Sequence, residues 1–171
     1  NYFDKIMDSE QKIKEDKLEK MRHSASHILA EAVLKLYPDT KLGIGPAIEN
    51  GYYYDFDFSE PIEEEDLKKI EKEMRKIIKQ NLPITQVFMK RTDAEEYFNK
   101  TGQIYKLELL EEIEGKELSF YITGENEFAD LCRGPHIDST SEIGAIKLTK
   151  TAGAYWRGDE NKKMLTRIYG T

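Results

Sequence analysis

A single cysteine, Cys132, stands among 171 residues, so the chain forms no internal disulfide and nothing in it points to an oxidising compartment. Histidine is nearly as scarce, with three. No apolar run approaches the roughly 20 residues that a membrane span requires, and the first residues lack the apolar stretch of a secretory signal. A cytoplasmic protein with no membrane partner is the expectation. Net positive charge is missing as well. The formal charge of -7 excludes a surface that grips nucleic acid by overall electrostatics, because phosphate contacts supply most of that affinity. The deficit is uneven, however. Ala145 to Thr171 carries Lys147, Lys150, Arg157, Lys162, Lys163 and Arg167 against Asp159 and Glu160, a local net of +4 that leaves room for a local RNA contact. Also absent are a phosphate-binding loop, a dinucleotide fingerprint and a nucleophile elbow.

What is present describes a globular protein, with 39% apolar, 35% charged and 11% aromatic residues and a length suited to one compact domain. Residues 1–18 read as an exposed helical lead-in or linker. A helix follows to Tyr37, stopped by Pro38, with Ile28, Leu29, Ala32, Val33 and Leu36 as its apolar stripe. Leu42 to Ile48 and Tyr52 to Phe58 read as strands joined by an Asn50-Gly51 hairpin turn, with Tyr52, Tyr54, Phe56 and Phe58 on the core face. Ser59 is placed to cap a second helix that carries Pro61 in its first turn and Leu67, Ile70, Met74, Ile77 and Ile78 as its stripe, to about Gln80. Ile84 to Lys90 predicts a strand, and Thr92 with Glu95 a capping box opening a short helix that Gly102 ends. Tyr105 to Ile113 reads as a helix, and Leu118 to Thr123, Ala145 to Thr151 and Met164 to Tyr169 as strands. Together these predict an α+β domain with a mainly antiparallel sheet.

All three histidines and the cysteine fall into two short motifs. His23 and His27 lie four apart, so both point to one side of their helix, in line with Ala30 and Leu34. With Cys132 and His136 they could complete a tetrahedral nitrogen and sulfur set. The spacer between the first two is Ser-Ala-Ser, without the glutamate of the metalloprotease signature. Against a site stands the ordinary behaviour of a lone cysteine, which is that of a small buried hydrophobe. The run Ala129-Asp130-Leu131-Cys132-Arg133-Gly134-Pro135-His136 crowds an acid, a thiol and bases into eight positions. Asp130 there could orient a histidine, hold an amine, or merely cap a loop, and Arg133 reads as structural or phosphate-facing. Gly43-Ile44-Gly45-Pro46 is too short to cradle phosphate. It marks a sheet bend, or a place where a ligand lies against backbone at Gly45.

The strings Met21 to His27, Gly43 to Pro46, Gly51 to Asp55, Asp130 to His136, Thr151 to Asp159 and Arg167 to Thr171 closely resemble the editing domain of bacterial-type threonyl-tRNA synthetase. The resemblance covers residues 19–171. It implies the threonyl/alanyl-tRNA synthetase editing-domain fold and hydrolysis of serine wrongly attached to threonine tRNA. The resemblance further implies that the catalytic core and anticodon-binding domain lie outside these residues, and that ATP, magnesium and a catalytic zinc would belong to that core. Partners would be the 3' end of tRNA(Thr) and the remaining synthetase domains. Carried over by position, the resemblance implies a working set of His23, His27, Lys106, Asp130, Cys132 and His136. It also makes Tyr54 a pocket-lining residue beside Gly45 and Arg133 as substrate contacts. Editing would need no cofactor; zinc on His23, His27, Cys132 and His136 would be possible but not essential. The competing readings are a zinc-dependent alanyl-type domain acting on seryl-tRNA(Ala) and a non-catalytic tRNA-binding module.

Overall fold

No proline or glycine occurs in the first 37 residues, and one helix, α1 (Tyr2–Leu36), runs through them until Pro38 ends it. The computed structural model describes residues 2–171. Along α1 the surroundings change within one turn. Residues 2–20 are exposed, whereas every residue from Ser24 to Val33 is buried. The expected one-sided stripe is therefore enclosed on all sides over this stretch, and only its last member, Leu36, remains exposed.

The stretch expected as one strand from Leu42 to Ile48 is broken into β1 (Lys41–Leu42) and β2 (Ala47–Ile48). Two residues explain the break. Pro46 brings no amide to a ladder, and Gly45 is wedged so close to Tyr54 that a Cβ would lie 2.1 Å from a ring carbon. Both pieces pair with β3 (Gly51–Asp57). Ile48 opposes Gly51, so the hairpin turn is Glu49-Asn50, one residue earlier than expected, and neither Asn50 nor Gly51 takes a positive φ. Gly51 answers a different need: a Cβ there would meet the Gly170 carbonyl oxygen at 2.1 Å.

Tyr52, Tyr54 and Phe56 of β3 are fully buried, as the alternation predicts, with Phe58 packed at the edge of the same core. The opposite face is less wet than expected. Asp55 is buried because Arg167, its cross-strand partner, donates to both carboxylate oxygens at 2.8 and 3.0 Å while lying 3.9 Å over the Tyr53 ring. Arg167 belongs to β8 (Met164–Gly170), which pairs on its other side with β7 (Leu148–Tyr155), giving an antiparallel sheet ordered β1-β3-β8-β7 with β2 also on β3. The helix α2 (Glu64–Lys79) covers this sheet beside α1, burying Leu67, Ile70, Met74 and Ile77 against Ile28, Tyr54 and Ile168. It starts at Glu64 rather than after Ser59. The Glu63 amide donates to Asp66 at 2.7 Å and closes the cap, so Ser59 and Pro61 lie outside the helix.

A second antiparallel sheet consists of β4 (Ile84–Lys90), β5 (Glu117–Thr123) and β6 (Phe128–Leu131). Against it pack α3 (Arg91–Thr101) and α4 (Ile104–Glu112), burying Ala94, Phe98, Leu110, Leu118 and Phe120. The expected Thr92 cap is not used, since α3 leaves β4 directly and Thr92 lies inside it; Gly102 ends it in the left-handed conformation as expected, with φ 70°. β6 is not among the predicted strands, because it is four residues long, too short for alternation to reveal. The α+β class holds, with two antiparallel sheets instead of one. Among the described residues no helix is long and apolar enough to cross a membrane.

Candidate active site

Where α1 sinks into the core it delivers His23 and His27, and the turn leaving β6 delivers Cys132 and His136. One ligand atom from each of the four lies within 4.8 Å of the others. His23 stacks on His136 with ring centroids 4.1 Å apart, and His27 tilts against the same ring at 4.3 Å. Cys132 Sγ sits 3.3 Å from His23 Nε2 and 3.2 Å from His136 Nε2. The turn closes because Gly134 takes φ 82° and passes so near Tyr121 that a Cβ would meet its hydroxyl at 2.1 Å. Its amide donates to Cys132 Sγ at 3.2 Å.

Behind the cluster lies a second group. Tyr54 on β3, Lys106 on α4 and Asp130 on β6 are at most 2% exposed. Lys106 Nζ donates to the Tyr54 hydroxyl at 2.9 Å and sits 2.7 Å from Asp130 Oδ1, while that hydroxyl donates to Asp130 Oδ2 at 2.5 Å. His27 Nε2 stands 3.7 Å from the same Oδ2 and so bridges the two groups. Thus all six residues of the predicted working set, with Tyr54, converge from four elements and a turn. The other two predicted contacts lie at the margin of this group, each beside one of its members. Gly45 packs directly on the Tyr54 ring and accepts a hydrogen bond from Ser26 Oγ at 2.7 Å, and Arg133 is exposed on a depression that it shares with Cys132, Leu131 and Phe88.

Burial dominates the electrostatics. It lowers the His23 imidazole, lowers His27 well below its ordinary value, takes His136 down to about 2, and pushes the Cys132 thiol up to about 11. At neutral pH the cluster is three neutral imidazoles and a protonated thiol, so Cys132 is not poised as a nucleophile. The cluster opens through His23 onto a cleft of about 490 Å³ lined by Pro46, Ala47, Gly134, Pro135 and the α1 residues Asp16, Glu19 and Lys20.

Two participants escape sequence reasoning. Ser24, between the motif histidines, is fully buried with its hydroxyl 2.9 Å from His136 Nδ1. Tyr121 packs on the His136 ring at 4.3 Å, from the position opposite Asp130 in the β5–β6 ladder. The signal for Tyr121 is its cross-strand register with Asp130, which depends on β6, a strand too short to predict.

Residues 118–169 match the family profile described as the threonyl and alanyl tRNA synthetase second additional domain. The chain is also 55% identical over 150 residues to the threonine–tRNA ligase of Carboxydothermus hydrogenoformans, covering 87% of this chain and 23% of that protein. It is 54% identical over 151 residues to that of Acetivibrio thermocellus, with 88% and 24% covered, and 54% identical over 156 residues to that of Agrobacterium fabrum, with 90% and 23% covered. It therefore spans about a quarter of the length of these curated relatives. Since identity above one half extends through the histidine and cysteine motifs and well beyond the matched profile, this chain belongs to the threonyl-tRNA synthetase family, of which it carries the second additional domain.

Proposed function

We propose that this site proofreads, hydrolysing the ester that joins a wrongly attached serine to the 3' end of threonine tRNA in the cytoplasm. The observation that carries the reading is the continuity of the polar cluster with the buried Lys106, Tyr54 and Asp130 group, reached from outside through His23. The need is physical: one methyl group separates serine from threonine, and such a difference yields only ~10–200-fold discrimination by binding. A second, tighter pocket removes the error.

In the reaction a water oxygen attacks the ester carbonyl carbon, the bond to the ribose oxygen breaks, and the proton lost by water is balanced by one gained at the ribose oxygen. His23, at the mouth, is suited to contact the ribose and position the water. Behind His23, Asp130 and Cys132 would hold the seryl amine or the water, and Lys106, paired with Asp130, would supply positive charge towards the developing oxyanion. His27 and His136 shape the wall. The test is deacylation of seryl-tRNA(Thr) and threonyl-tRNA(Thr), with seryl-tRNA(Ala) as control. Release of serine from the threonine tRNA alone is expected. Cleavage of only the alanine tRNA substrate would move the domain to the alanyl-type reading, and full activity in His23→Ala would leave only a tRNA-binding module.

The donor set itself fits a tetrahedral zinc ion, since four nitrogen and sulfur atoms approach within 4.8 Å. His23, His27, Cys132 and His136 would hold it, and when bound it would acidify a water and polarise the ester. We expect hydrolysis not to require it. Metal capture must deprotonate a thiol that burial holds up to about 11, and Lys106 already provides a fixed positive charge. Metal analysis of purified protein should find well under one equivalent of zinc. A full equivalent whose chelation abolishes deacylation would overturn this.

A further inference from the structure

The hydrogen bonds around Ser24 have a direction. Its hydroxyl oxygen lies 3.1 Å from the Ile137 amide nitrogen and 2.9 Å from His136 Nδ1. An amide only donates, so Ile137 occupies a lone pair of the hydroxyl, and the serine proton needs an acceptor. Among the described hydrogen bonds of this hydroxyl, His136 Nδ1 is the group able to accept. The proton of neutral His136 then sits on Nε2, which faces Cys132 Sγ at 3.2 Å. The sulfur also accepts the Gly134 amide, so its own hydrogen points to His23 Nε2 at 3.3 Å. That places the His23 proton on Nδ1, 3.3 Å from the Pro135 carbonyl, which only accepts. The chain begins on a backbone donor and ends on a backbone acceptor, both in the turn after β6, so it runs one way.

We infer that Ser24 is a positioning residue: it fixes His136 as the Nε2–H tautomer and, through Cys132, His23 as the Nδ1–H tautomer, closing the cluster into a hydrogen-bonded wall in place of a metal cage. Two consequences follow for the site. Neither His23 nor His136 keeps an unshared ring lone pair, which leaves His27, beside Asp130, as the imidazole outside this hydrogen-bond chain. Metal capture by His136 Nε2 requires moving its proton to Nδ1. Ser24 Oγ would then face two donors, and its own hydrogen would lose its acceptor. Metal-ligating histidines ordinarily donate that second N–H to a carboxylate, a backbone carbonyl or water, whereas here it would meet a hydroxyl already accepting from the Ile137 amide.

This deepens the metal-free proofreading reading, yet the tautomers are measured without substrate, so failure of one is distinguishable from failure of the other. In the ¹⁵N-histidine-labelled chain at neutral pH, long-range ¹H–¹⁵N correlation should show His136 as Nε2–H and His23 as Nδ1–H. An Nδ1–H tautomer at His136 overturns the assignment, and this spectrum decides it even where a variant fails to fold. In Ser24→Ala, His136 should lose its single tautomer; a folded variant that keeps pure Nε2–H removes Ser24 from the role. Ser24→Asp offers an acceptor only, and zinc alone, titrated against a chromogenic chelator, should bind it at least tenfold more tightly than wild type. Equal affinity would refute selection against metal by the hydroxyl.

Discussion

Lys106→Met is expected to slow deacylation of seryl-tRNA(Thr) by about 100-fold or more, the range seen when a preorganised charge is removed from a reacting centre. It should also cost the fold about 3–5 kcal/mol, because it strands a buried carboxylate. Both follow from one contact. Lys106 Nζ and Asp130 Oδ1 are 2.7 Å apart with side chains 3% exposed, so neither charge has water to fall back on. The two effects separate in the double variant Lys106→Met with Asp130→Asn. With both charges gone, no ion is left uncompensated, and urea denaturation should recover most of the lost stability. Single-turnover hydrolysis should not recover, since both the Lys106 charge and the Asp130 carboxylate are then missing from the site. A double variant that regains both would show Lys106 to be structural only.

How far the sequence discloses this site depends on where each residue's neighbours lie. His23 and His27 are legible because helical geometry alone puts positions four apart on one side, and α1 is regular through both. Cys132 and His136 share a tight turn and were legible as a motif. Lys106 and Tyr54 were reachable only through the family resemblance. Locally they are a helix lysine and a core tyrosine, and what makes them functional is the meeting of α4 with β3 and β6, a long-range contact no local pattern encodes. Ser24 was in plain view yet mute, because a buried serine beside a histidine says nothing until the Ile137 amide and His136 Nδ1 are placed against it. The misplaced boundaries have similar causes. Glu63 and Asp66 outcompete Ser59 as a cap, and a close β3–β8 approach, not a positive φ, accounts for Gly51. Local chemistry proposed sound candidates in each case, and tertiary contacts chose among them.

Stability should fall steeply as pH drops below about 6.5, and the same burial that holds the cluster neutral is the cause. For His23, His27 and His136 the folded value is depressed below the unfolded value of 6.5. Below 6.5 the unfolded chain takes up protons that the folded chain refuses, so the histidine contribution is present above that pH and is lost on acidification, by about 1.4 kcal/mol per proton per pH unit. Glu31 opposes it. Its two carboxylate oxygens are buried with no hydrogen-bond partner among the described residues, and burial raises it from 4.5 to about 7. Between those values the folded state holds the extra proton, so Glu31 favours folding at low pH and penalises it as pH rises through about 7. Glu31→Gln removes only that opposing contribution. At pH 8 it should be more stable than wild type by about 3 kcal/mol, a difference that shrinks towards zero near pH 4.5, so its acid loss is the steeper of the two. Urea denaturation across pH 4.5 to 8.5 reads both slopes. A Glu31→Gln profile that stays level from pH 7.5 to 5 would mean that the histidines accept protons inside the fold. The one-way hydrogen-bond chain through Ser24, Cys132 and Pro135 could not then persist, because a protonated imidazole has no lone pair with which to receive.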